Sequence, residues 1–183
     1  SRNCAVLPLR SSSETSLKHA SLDTPPPANM IPTASAAFTQ PQTCDTRFGE
    51  ALCRRTAAHP QQSGIYTLSL AEDAFAARIV LARAAQLSLD LQYYIWHADT
   101  TGQLLWEALW QAAERGVRVR LLLDDANTAG HDSTLAALDA HPNIELRLFN
   151  PFANRRFRLS DFVFDFRRVN RRMHNKSFTV DDQ

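Results

Sequence analysis

The chain has 183 residues, an apolar share of 44% and a formal net charge of +1, which is one domain's worth of globular chain with room for a tail. A balance so near zero excludes the global field that draws a strongly charged protein onto nucleic acid or membrane. No apolar run approaches the ~18 residues that a membrane helix needs.

Residues 1–62 differ from the rest. Ser11–Ser13, Pro25–Pro27 and scattered Thr, Ala and Gln give no sustained periodicity. Such composition buries too little apolar surface to offset ordering entropy, so a low-complexity, Pro-rich tail or linker is expected, extended around Pro25–Pro27. A short helix within Thr46–Ala58 is the one element it offers. The cysteines are Cys4, Cys44 and Cys53, none at C-x-x-C spacing. Their odd number favours free thiols, with a Cys44–Cys53 bridge as the alternative.

From residue 63 the pattern becomes regular. Ala71–Gln86 reads as a helix, with Ala74, Phe75, Arg78, Ile79, Ala82 and Ala85 at 3-and-4 spacing. Leu87–Trp96 reads as a strand with Leu87, Leu89, Leu91, Tyr93 and Ile95 on one face, and Asp90 between apolar neighbours marks the other face as the less buried. Gly102–Arg115 is a second helix, capped by Thr100 or Thr101 and stopped by Gly116. Val117–Leu123 is a strand ended by Asp124-Asp125. A short helix, Ser133–Asp139, capped by Asp132 or Ser133, leads to a third strand, Ile144–Phe149. Helices alternating with strands at these spacings predict βαβ crossovers and a mainly parallel sheet.

The alternation then stops. Six phenylalanines lie between Phe149 and Phe166, interleaved with Arg155, Arg156, Arg158, Arg167, Arg168, Arg171 and Arg172. Leu159, Phe162, Val163, Phe166 and Val169 form a stripe that predicts an amphipathic helix from Ser160 to about Arg171. Three uses of it stay open: packing on the core, contact with anionic headgroups, or contact with a nucleic-acid backbone. Asp124-Asp125, at a strand's C-terminal end, is either turn chemistry or a metal or acid–base pair. His97 also follows a strand end and is a candidate pocket residue; His59, His131 and His141 read as solvated.

The last ten residues carry the chemistry. Met173–Asp182 contains H-x-K-x4-D as His174, Lys176 and Asp181. Lys176–Val180 reads as a strand, so His174 and Lys176, two apart, can face one ligand. Asp181 has the opposite parity and opens a turn. A neutral imidazole can attack phosphorus, and a positioned Lys can stabilise charge on the non-bridging oxygens without a metal. Asp181 could hold the imidazole in one tautomer or offset the lysine charge. Alone the pattern is weak, because an ordinary half-buried strand also meets it.

The wider segment Arg167–Asp181 resembles the first catalytic motif of the phospholipase D superfamily, and more narrowly that of the bacterial cardiolipin synthases of the third type. Ser88–Trp96 (SLDLQYYIW), Gly116–Asp125 (GVRVRLLLDD) and Asn143–Phe152 (NIELRLFNPF) fall in the family's order and spacing. The resemblance runs from about Ser63 to the end. It implies a phospholipase D-like α/β/α sandwich, with residues 63–183 a first catalytic domain truncated at its C-terminal end. It implies phosphatidyl transfer through a phosphohistidine. His174 would be nucleophile or general acid, Lys176 the phosphate ligand and Asp181 a support, with Arg171, Arg172 and Asn175 binding substrate. No cofactor or metal is implied. The implied partners are phosphatidylglycerol, with phosphatidylethanolamine as a second donor, and a membrane surface, with peripheral attachment to the bacterial inner membrane. Nucleic acid is the less favoured partner. Only one H-x-K-x4-D occurs, and the family's next strand and Gly-rich turn are missing. A second motif is therefore expected in cis or by dimerisation, and the 183 residues alone are expected to be inactive. Two alternatives remain: a dimeric phosphodiesterase or endonuclease, and a non-catalytic membrane-binding module.

Overall fold

Residues 6–8, 40–154 and 158–183 are described by a computed structural model. Within them lie five strands, β1 Val6–Pro8, β2 Ser88–Tyr93, β3 Arg118–Asp124, β4 Ile144–Phe149 and β5 Lys176–Val180. The helices are α1 Gln40–Cys44, α2 Arg47–Ala57, α3 Ala71–Ala84, α4 Thr100–Glu114, α5 Asp132–Asp139, α6 Arg158–Phe164 and α7 Phe166–Val169. The strands form one sheet in the order β1-β4-β3-β2-β5. Its centre, β4-β3-β2, is parallel, with crossovers through α4 and α5. Both edges are antiparallel: β1 runs against β4, and β5 against β2. The α/β architecture is the one expected, with the parallel part confined to the centre.

Strand periodicity places the core. In register, Leu89, Val119 and Ile144 align across the sheet, as do Leu91, Leu121 and Leu146. All six are buried, as is Val180 opposite Leu89. Helices α3, α4 and α5 cover this face through Ala82, Leu105, Ala108, Leu109, Ala112, Leu135 and Leu138. Alanines at the α3–α4 contact let both helices lie close to the sheet. The other face carries charge: Arg120 binds Asp90 from the adjacent strand, and Arg147 pairs with Glu145. The Asp90 hydrogen bond, more than any other influence, raises the Arg120 pKa above its ordinary value. Asp90 thus stands on the less buried face, as its place between Leu89 and Leu91 predicts. A concavity of about 550 Å³ opens on this face, lined by Asp90, Arg120, Glu145, Arg147, Thr179 and Asp182.

Helix α4 is stopped by Gly116 at φ +90°, whose amide closes on Ala113 O at 2.9 Å. Its N-cap is Asp99 rather than Thr100 or Thr101. Asp99 Oδ1 accepts from Gly102 N at 2.8 Å and from the Thr101 hydroxyl at 2.7 Å. A Cβ on Gly102 would lie 1.9 Å from His97 O, so the chain enters α4 through a contact only glycine allows. The Gly102 amide, followed by the Thr101 hydroxyl, holds the Asp99 carboxyl below its usual range. A depressed carboxyl contributes stability above the unfolded aspartate value of ~3.9 and loses it as pH falls through the folded value. Asp99→Ala is therefore expected to lower Tm at pH 7, with the gap to the parent chain closing as the scan moves into acid. A gap that is constant with pH would remove the carboxylate from the explanation.

Several expectations are corrected. The N-cap of the short helix α5 is His131, with no side-chain cap hydrogen bond, and not Asp132 or Ser133. His141 is buried, not solvated. Its Nδ1 accepts from Asn143 N at 3.1 Å, its Nε2 stands 3.4 Å from Glu114, and its ring meets Trp110 edge-on. Cys44 and Cys53 are disulfide-bonded, which ties α1 to α2; the hairpin's Arg47 N donates to Gln86 Oε1 at 2.7 Å. The tail expected over residues 1–62 thus carries α1, α2 and β1 where it is described, while the extended Pro25–Pro27 run, Cys4 and Ser11–Ser13 lie outside the described residues. The helix expected from Ser160 to about Arg171 is broken. Asp165, at φ −142° and ψ 41°, separates α6 from α7. Its stripe does not face the core: Leu159, Val163 and Phe166 are exposed, and of the described members only Val169 is buried.

Candidate active site

The C-terminal ends of the parallel strands converge at one edge, and the last loop of the chain is fastened there. Asp124 ends β3 with its carboxylate 1% exposed. Its Oδ2 accepts from Met173 N at 2.8 Å; its Oδ1 accepts from Ala126 N at 2.8 Å and from Arg172 Nη1 at 3.2 Å. The Arg172 guanidinium also lies over the Phe152 ring, 4.8 Å from its centroid. Asn150 follows β4 at φ +48°, a conformation asparagine tolerates better than most residues. Its amide donates to Arg168 O and Arg171 O, each at 2.7 Å. Asp125 secures the neighbouring segment: its Oδ2 accepts from Phe152 N at 2.8 Å, and Arg158 Nη2 lies 3.5 Å from its Oδ1. The strand-end pair Asp124-Asp125 is thus a set of buried anchors.

That frame delivers His174 and Lys176 to solvent. Antiparallel pairing sets Lys176 opposite Tyr93 at the end of β2. Burial raises the Tyr93 pKa, so its hydroxyl stays protonated at neutral pH. The next residue, Tyr94, meets the His174 imidazole edge-on, ring centroids 4.8 Å apart and planes at 85°. Lys176 Nζ lies 3.3 Å from His174 Nε2. Both side chains are exposed, as the parity argument requires of a ligand-facing pair. Asn175 turns to β2, its Nδ2 donating to Gln92 Oε1 at 3.1 Å.

Asp181 is not with them. It stands at the other end of β5, about 16 Å from Lys176 at the strand rise of ~3.3 Å per residue. It is fully buried, at φ +52°. Its Oδ1 accepts from Leu87 N at 2.7 Å and from Gln86 N and Ser88 N at 3.1 Å each. The expectation that it orients the imidazole or offsets the lysine charge is not met; its carboxylate fixes the entry to β2. Of the substrate-binding candidates, Arg171 and Asn175 are exposed beside His174, and Arg172 is enclosed with Asp124. Of the other arginines, Arg158 is engaged with Asp125, and Arg168 pairs with Asp161 and Asp165. Arg167 is exposed; Arg155 and Arg156 lie outside the described residues. His97 is exposed and lines a shallow hollow of about 220 Å³ with Phe75, Arg78 and Tyr93. Little in the sequence marks Tyr94, Asn150 or the anchoring use of Asp124. Only a polar residue at a strand's C-terminal end signalled the last two.

The α/β sheet thus carries an exposed imidazole and ammonium, those of His174 and Lys176, at the carboxyl edge of its parallel strands. The chain belongs to the family described as cardiolipin synthase, phospholipase D-like domain, whose profile matches residues 79–183. It is 56% identical over 135 residues to cardiolipin synthase C of Escherichia coli K12, covering 74% of this chain and 28% of that protein. An uncharacterized protein of Helicobacter pylori J99 is 37% identical over 139 residues, again 28% of its length. The chain thus spans about 28% of the length of these curated relatives. Among solved structures, NucT from Helicobacter pylori matches 42% of this chain and 46% of its own at 24% identity and a TM-score of 0.36, too slight a likeness to carry an argument. Among the described residues no helix is long and apolar enough to cross a membrane.

Proposed function

We propose that the chain supplies one half-site of a cardiolipin synthase-like phosphatidyltransferase, with His174 as nucleophile or general acid. The observation that carries this reading is the exposed His174–Lys176 pair, Nε2 and Nζ 3.3 Å apart, in a member of this family. As nucleophile, Nε2 attacks the phosphorus of phosphatidylglycerol. A P–N bond forms, the P–O bond to the departing glycerol breaks, and the alkoxide takes a proton from the histidine of a second H-x-K-x4-D motif. A second phosphatidylglycerol hydroxyl then attacks phosphorus, returns its proton to that histidine, and breaks the P–N bond to give cardiolipin. Phosphatidylethanolamine is a second donor. Lys176 neutralises the non-bridging oxygens, and Arg171 and Asn175 bind substrate. We move Arg172 from substrate binding to positioning, because Asp124 already occupies its guanidinium, and we keep Asp181 as a support. Residues 63–183 form the catalytic part, working peripherally at the bacterial inner membrane, with residues 1–62 as a lead-in. No cofactor is used.

The test offers phosphatidylglycerol vesicles, with or without phosphatidylethanolamine, and DNA to two proteins: the 183-residue chain and the same chain continued into a second motif. Cardiolipin is expected only from the second, falling roughly a thousandfold or more in His174→Ala. An acid-labile phosphatidyl adduct at His174 would mark it as the nucleophile. DNA cleavage without lipid turnover would reverse the reading in favour of a phosphodiesterase. Turnover by the isolated monomeric chain would refute the need for a second half-site.

A further inference from the structure

Four of the chain's exposed large apolar side chains fall within eight residues of α6–α7. Leu159 is 80% exposed, Val163 75%, Phe164 87% and Phe166 55%. Leu159 and Val163 are one helical turn apart and share a face. Leaving such a group in water forfeits the burial that these residue types ordinarily find, so exposed apolar side chains gathered in one short segment mark a contact surface.

The patch is held firmly from behind. The buried Asp161 carboxylate accepts from Ala153 N at 2.6 Å and pairs with Arg168. Arg168 also donates to Asp165 at 2.6 Å and to Pro151 O at 2.7 Å, spanning the break between the two helices. Asn150 grips the end of α7 and the residue just before Arg172. Two residues further on stands His174. The apolar side chains therefore sit on a rigid mount continuous with the loop that carries the site.

Charge decides among the occupants. Between residues 158 and 172 five arginines stand against two aspartates. Both aspartates face Arg168, and Arg167 and Arg171 point to solvent. A second copy would set one cationic patch against another. A nucleic-acid backbone would use the arginines and leave Leu159, Val163 and Phe164 wet. An anionic bilayer satisfies both halves: apolar side chains enter the acyl boundary while arginines meet lipid phosphates. We propose that α6–α7 is the membrane-docking face, inserting Leu159, Val163 and Phe164 with Arg167 and Arg171 at headgroup level, and so setting His174 at the bilayer surface. It rests on the phosphatidyltransferase reading only in taking a bilayer as the home of the substrate; docking itself needs no turnover.

The test is co-sedimentation of the 183-residue chain with vesicles of phosphatidylglycerol and phosphatidylcholine, against phosphatidylcholine alone. The parent chain and His174→Ala are expected to bind the anionic vesicles equally. Val163→Asp with Phe164→Asp, both at exposed positions, is expected to weaken binding at least about tenfold with an unchanged circular dichroism spectrum. Arg167→Gln with Arg171→Gln is expected to weaken it by roughly tenfold and to remove most of its salt dependence. In Phe164→Trp, bromine-labelled acyl chains should quench the added fluorescence in the 183-residue chain and in the chain continued into a second motif. Absent vesicle binding, or binding within twofold of the parent in the double aspartate variant, would overturn the proposal. So would a dimer in the ultracentrifuge that this variant dissolves, or quenching lost once the second motif is attached. If docking persists but the two-motif protein turns over no lipid, the transferase reading falls and the docking face stands.

Discussion

Asp181→Ala is expected to lower the chain's stability by about 3–5 kcal/mol, a large share of the ~5–15 kcal/mol of a typical domain. The reason is the number of donors left behind. Its carboxylate, itself fully buried, takes the amides of Gln86, Leu87 and Ser88 within 3.1 Å. Alanine leaves all three without an acceptor at the point where α3 hands over to β2. β2 is the sheet's second strand from the edge and pairs with both β3 and β5, so the loss spreads to both ladders. Backbone strain offers a competing explanation, since Asp181 and Asp182 sit at φ +52° and +57°. Asp181→Gly separates the two, because glycine adopts that conformation freely but restores no acceptor. Urea denaturation should rank the parent above Asp181→Asn, and Asp181→Asn above both Gly and Ala. A glycine variant as stable as the parent would transfer the role from the carboxylate to the backbone.

The same carboxylate shows what could and could not be read from the residues. His174 and Lys176 were legible as a pair because strand parity is local: it needs only the alternation of Lys176–Val180. The use of Asp181 was not, because its partners lie 93 to 95 residues upstream and only the sheet order brings them together. Asp124 is a similar case. A strand-ending aspartate is visible in the sequence, but its partners are Arg172 and Met173, 48 and 49 residues on. Strands and helices between residues 71 and 149 followed their periodicities to within a few residues, since each buries one apolar face against the same core. The direction in which the stripe from Leu159 to Val169 faces was not legible, for a physical reason. Periodicity reports that one face is apolar and is silent on whether that face turns inward. Here Asp161 and Arg168 hold the segment by its polar side, and the apolar side is left outward.

Asp124→Ala is expected to cost about 3–5 kcal/mol as well, and it reaches the site more directly. The substitution strips the acceptor from Met173 N and leaves the Arg172 guanidinium, 15% exposed, without its carboxylate. An enclosed charge without its partner is more costly than the intact pair is worth, so the damage should depend on Arg172 still being present. Arg172→Met tests this. It keeps much of the apolar stem and removes the charge together with the guanidinium's contact over the Phe152 ring. In a double-mutant cycle, Asp124→Ala with Arg172→Met should be less destabilised than the sum of the singles by about 1.5 kcal/mol or more. Amide exchange at Met173 should quicken in both Asp124 variants, because that hydrogen bond is lost whether or not arginine is there. The edge contact of His174 with Tyr94 and the 3.3 Å approach of Lys176 both depend on where Met173 is pinned. In the two-motif protein, Asp124→Asn is therefore expected to lower kcat with little change in KM. Additive energies in the cycle, with an unchanged kcat, would remove Asp124 from the positioning of His174.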